Sequence, residues 1–93
     1  MSALDGEWNV TRVSGLLPPL RGVRKRIDGD RGETIVLAGP GLRFDVRGLE
    51  LHYRAPVGFL VDVLEPDGCG FRGRATAFGR TYGRFELRRP TSR

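Results

Sequence analysis

Apolar and polar residues alternate along most of the chain: Trp8 and Val10 flank Asn9, Phe44 and Val46 flank Asp45, Phe85 and Leu87 flank Glu86. A period of two marks a strand with one buried face and one solvated face. The pattern predicts eight strands, at about 6–13, 22–27, 33–38, 42–47, 49–54, 57–64, 70–78 and 83–89. Turn chemistry separates them at Asp28-Gly29-Asp30-Arg31-Gly32, Gly39-Pro40-Gly41, Arg47-Gly48, Ala55-Pro56, Pro66-Asp67-Gly68-Cys69-Gly70 and Gly79 to Tyr82. All but one of these connections are too short for a parallel crossover, so the sheet is an antiparallel meander. A meander with an apolar face loses its sticky edges by closing. The expected fold is all-β, a small antiparallel meander closed or nearly closed into an eight-stranded barrel.

Register follows from aligning the apolar faces. Treating Arg47-Gly48 as a two-residue loop sets Val46 opposite Leu49, Phe44 opposite Leu51 and Leu42 opposite Tyr53. Placing Val63 opposite Phe71 sets Phe59 against Ala75 and leaves Asp62 outside beside Arg72; Ala75 then meets Phe85 and Gly73 meets Leu87. The predicted inner wall is Trp8, Val10, Val23, Ile27, Ile35, Leu37, Leu42, Phe44, Val46, Leu49, Leu51, Tyr53, Phe59, Val61, Val63, Ala75, Phe85 and Leu87. Leu60 and Leu64 then lie outside as an apolar strip, which suggests a homodimer.

Ninety-three residues fit one domain, 1–93, and 14 Gly with 6 Pro exclude a protein built of long helices. The uncharged stretch Val13 to Leu20 is eight residues broken by Gly15, Pro18 and Pro19, and no uncharged stretch exceeds nine, far short of the roughly 20 that a membrane helix needs. With Asp5 and Glu7 near the start and no secretory pattern, a cytoplasmic chain with no membrane partner is expected. Single Cys69 and single His52 leave no disulfide and no dedicated metal site, and no cofactor is expected.

The opening Leu4-Asp5-Gly6-Glu7-Trp8-Asn9-Val10 resembles the Gly-x-Trp start of the first strand in lipocalins and fatty-acid-binding proteins, the calycin group. That resemblance implies that Trp8 closes one barrel end under an arginine of the last strand, Arg88 or Arg89. The last strand carries Tyr82-Gly83-Arg84, the reverse of the Arg-x-Tyr order of fatty-acid-binding proteins, so their ligand site does not carry over.

Charge adds two candidate chemistries. Arg12 shares a face with Trp8 and Val10, and Lys25 lies between Val23 and Ile27, so each either meets an anionic group inside the barrel or reaches the rim with its head in water. The segment Gly15-Leu16-Leu17-Pro18-Pro19-Leu20 folds over the mouth as a lid or a plug. Sixteen bases against eleven acids give +5, and from Arg72 onward seven arginines face one acid, Glu86, a phosphate-facing strip or a solvated exterior. His52 and the serines sit in no nucleophile context, and Cys69 lies in a turn beside Asp67, so no catalytic residue is identified. The leading expectation is a non-enzymatic, lipocalin-like barrel for a small apolar or amphipathic ligand, acidic ones included. Trp8, Phe44, Tyr53, Phe59 and Phe85 would line its cavity and Arg12 would orient an acidic group. The alternatives are a nucleic-acid-binding barrel using the arginine-rich surface, with no outward aromatics for bases to stack on, and a purely structural homodimer.

Overall fold

A computed structural model describes residues 3–17, 22–36 and 41–90. Eight strands follow in chain order: β1 (Gly6–Gly15), β2 (Arg24–Asp28), β3 (Arg31–Ile35), β4 (Leu42–Arg47), β5 (Glu50–Tyr53), β6 (Leu60–Asp67), β7 (Gly70–Ala77) and β8 (Arg80–Arg88). Each pairs antiparallel with the next, and β1 also pairs with β8, so the meander closes into a barrel. No helix long and apolar enough to cross a membrane is present among the described residues.

The hairpin turns set the registers. At Gly29-Asp30, Gly48-Leu49 and Gly68-Cys69, the first central residue is a glycine at φ of 66°, 60° and 62° and the second has a negative φ. This is the type II′ pattern, whose twist suits a two-residue hairpin. The β4–β5 turn is therefore Gly48-Leu49 rather than Arg47-Gly48, and Val46 pairs with Leu51 and Phe44 with Tyr53. Both strands keep their expected faces, while Leu49 moves to the exposed turn.

The larger correction concerns β6. The Gly68-Cys69 turn lets the ladder run on through Pro66 and Asp67, pairing Leu64 with Gly73 and Asp62 with Ala75. The shift from the expected pairing is an odd number of residues, which reverses the strand. Asp62 and Leu64 are buried inside, Val61 and Val63 face outward, and Phe59 lies on the rim at 41% exposure. An outward strip of Leu60 and Leu64 does not exist, so the homodimer expected through it loses its basis. In β3, the tight Gly29-Asp30 turn pairs Lys25 with Thr34 and Arg24 with Ile35, so Thr34 faces inward in place of Ile35. Leu37 lies outside the described residues.

Large side chains meet small ones across β7, as expected, but with Gly73 opposite Phe85 and Ala75 opposite Gly83. The Phe85 ring lies so close over Gly73 that a β-carbon there would collide with it. The core comprises Leu4, Trp8, Val10, Ile27, Phe44, Leu51, Leu64, Phe71, Ala75, Phe85 and Leu87.

The two barrel ends differ. At one end the indole of Trp8 donates from Nε1 to the Leu4 carbonyl (2.8 Å) and packs edge-on against Phe71, 5.4 Å between ring centres. The Arg89 guanidinium covers that indole at 3.7 Å and reaches toward the carbonyls of Glu7 and Ala3. This end is closed, and of Arg88 and Arg89 it is Arg89, just past the end of β8, that covers Trp8. At the other end β1, β3, β5 and β7 finish, and among the described residues Leu17 and Tyr82 pack against the core there.

Candidate functional site

This second end holds a cavity of about 130 Å³ lined, among the described residues, by Val10, Leu17, Val23, Leu42, Leu60, Ala75, Phe85 and Tyr82, with Lys25, Thr34, Tyr53 and Asp62 as its polar part. Strand alternation places the four polar groups. Lys25 and Thr34 are cross-strand partners on β2 and β3, Tyr53 follows Leu51 on the inner face of β5, and Asp62 faces Leu51 from β6.

Lys25 is 3% exposed, and its ammonium meets Thr34 Oγ1 at 2.7 Å, the Tyr53 hydroxyl at 2.7 Å and Asp62 Oδ2 at 3.1 Å. An ammonium has three protons, and these three acceptors use all of them. Its positive charge lies within 5.3 to 5.6 Å of the ring centres of Phe44, Tyr53 and Phe85, which adds cation–π attraction. Thr34 Oγ1 and the Tyr53 hydroxyl are 2.7 Å apart, and Tyr53 donates to Asp62 Oδ2 at 3.1 Å. The consistent proton order runs from Thr34 to Tyr53 to Asp62, with Lys25 donating to all three.

Burial alone would lower the pKa of Lys25. The charges and hydrogen bonds of Tyr53 and Asp62 outweigh it and hold the ammonium above the ordinary lysine value. Burial likewise pushes the Tyr53 phenol up, against the pull of Lys25. At neutral pH the cluster is a buried ion pair with a neutral phenol and hydroxyl, and its net charge is zero.

Two groups in the cavity remain open to a ligand. Asp62 uses only Oδ2, and its other carboxylate oxygen has no partner among the described residues. The Tyr82 hydroxyl has none either, and burial followed by the Asp62 charge raises its pKa, so it stays protonated.

The six residues expected to line the site are only partly brought together. Tyr53 and Phe85 line the cavity, and Phe44 lies beneath it against Lys25. Trp8 belongs to the closed end and Phe59 to the outer rim. Arg12 is exposed beside a register shift in β1, where it donates to the carbonyls of Leu17 and Gly15 at 2.8 Å each. It therefore fastens the start of the mouth connection rather than facing the interior. Of that connection, Leu17 packs into the mouth while Leu16 is 84% exposed; Pro18, Pro19 and Leu20 lie outside the described residues.

Asp62, Thr34 and Tyr82 were not anticipated as site residues. The signal for Asp62 was present in Gly68, because a glycine followed by one residue and then another glycine fits a tight II′ turn and fixes the parity of β6. No family model matches this chain, and neither a curated protein nor a solved structure does.

Proposed function

We propose that the protein is a non-enzymatic, lipocalin-like carrier or sensor barrel that binds a small neutral ligand in the cavity beside Lys25 and Asp62. The observation that carries this reading is the largely apolar cavity of about 130 Å³ beside a Lys25–Asp62 pair whose ammonium has all three protons engaged and whose second carboxylate oxygen is open. An apolar cavity of roughly 150 Å³ accommodates one benzene ring. The ligand is thus of single-ring size, a far smaller molecule than a fatty acid. Because Lys25 has no proton to spare, an acidic ligand would bring an unpaired negative charge beside Asp62, at a desolvation cost. A neutral group with one O–H or N–H donor instead meets the open oxygen of Asp62. The Gly6-Glu7-Trp8 start and the Arg89 cover support the lipocalin-like arrangement.

Calorimetric titration with toluene, phenol and benzoate tests the reading, since the three share a ring and differ in their polar group. Phenol should bind about tenfold more tightly than toluene, the value of one hydrogen bond to a charged acceptor, and benzoate should bind least. Preference for benzoate, or no binding of any of the three at millimolar concentration, would overturn it.

A further inference from the structure

A second surface, independent of the cavity, lies on the β7–β8 hairpin. Its tip is the two-residue turn Phe78-Gly79, with φ of 52° and 80°, the type I′ pattern. Asparagine or glycine normally occupies the first position, because a bulky side chain at positive φ is strained. Phe78 is also 79% exposed, and its ring stacks on exposed Phe59 at 4.6 Å with the planes 4° apart. The chain thus accepts strain and apolar exposure together to present a flat two-ring platform.

Beside the platform runs unneutralised positive charge. Arg24, Arg26, Arg54, Arg72 and Arg88 are all paired with carboxylates. Arg74, Arg80 and Arg84, by contrast, have no carboxylate partner among the described residues; Arg74 donates only to Thr81. Arg74 and Arg84 are direct cross-strand partners, an arrangement that repels unless an anion lies between them. Both line an outer groove of about 280 Å³, whose acids Glu65 and Glu86 are already held by Arg72 and Arg88. Phe78 and Arg74 are separated by roughly 13 Å of strand at about 3.3 Å per residue.

Aromatic faces next to phosphate-binding cations are the two elements that hold a single strand of nucleic acid without reading its sequence. We infer that the Phe59–Phe78 ring pair with Arg74 and Arg84 binds single-stranded nucleic acid, one base stacking on the outer face of Phe78 and the phosphates lying along the arginines. A lipid surface is the competing occupant. Parallel stacked rings favour a base over acyl chains, because only the base can extend the stack with a matching flat face.

The test is fluorescence anisotropy of a labelled oligothymidylate against the full chain, over a range of salt concentrations. The wild type should bind at low salt. Phe78→Asn should weaken binding about tenfold by removing the stacked base. The same change should raise the melting temperature, since asparagine suits this turn. Arg74→Gln and Arg84→Gln should each lower the slope of log affinity against log salt by about 0.7. The inference is overturned by absence of binding at low salt, by variants that bind as the wild type does, or by equal affinity for duplex. Binding only to phosphatidylserine-containing vesicles would overturn it in favour of a lipid surface.

Discussion

Lys25→Met keeps an unbranched side chain one atom shorter and removes the charge, so it isolates the buried cluster. In the wild type the ammonium joins Thr34, Tyr53 and Asp62. After the change Thr34 and Tyr53 still bond to each other, but Asp62 is left as a buried carboxylate with one hydrogen bond. Removing one partner of a buried pair costs about 3–5 kcal/mol. A chain of this length has roughly 5–14 kcal/mol of total stability. At about 4 °C or more per kcal/mol, the melting temperature should fall by roughly 12 °C or more. Adding Asp62→Leu should restore most of the loss, because replacing both charges by apolar side chains removes the unpaired group. Urea denaturation of the wild type, the single variant and the double variant checks this. A single variant within about 1 kcal/mol of the wild type, or a double variant no better than the single, would refute the account of the cluster as a coupled pair.

Gly73→Ala should cost about 1–3 kcal/mol, read by thermal unfolding, because the Phe85 ring occupies the place of the new methyl. Arg89→Ala should shift Trp8 emission to the red and lower stability by about 0.5–1 kcal/mol, as the exposed cation over the indole is removed. Lys25 and Tyr53 both have folded pKa values raised above their ordinary 10.5 and 10.0. Their contribution is therefore fully present below pH 10 and lost as pH rises through the folded values, so denaturant midpoints should hold steady up to about pH 9.5 and decline in stronger alkali.

The barrel was legible in the sequence because each strand carries its own alternation; the faces of β4, β5, β7 and β8, and of β1 as far as Val10, needed nothing more. The face of β6 was not, because Phe59 to Leu64 offers apolar residues at both parities and alternation there has two solutions. What decides between them is the turn, where a single positive φ at Gly68 fixes the pairing and turns Asp62 inward. Lys25 was correctly placed on an inner face by its neighbours Val23 and Ile27. Its partners were hidden because two of them, Thr34 and Asp62, are polar residues that a search for an apolar wall assigns outside. Phe78 escaped notice for a related reason: nothing in its side chain suggests positive φ, and only the structure shows it at a turn.

The seam between β1 and β8 joins residues as far apart in sequence as Asn9 and Arg88. Long-range pairing of this kind forms late and slows folding, because the entropy of closing the loop must be met before the contacts exist. During synthesis β1 emerges first and its partner last, so residues 10–15 wait as an open edge able to pair with another chain. The register shift between Arg12 and Ser14 interrupts that edge, and Arg12 sets a charge at the interruption. The charge that the irregularity leaves exposed at Arg12 is a device of the kind that keeps an unpaired edge from joining another chain.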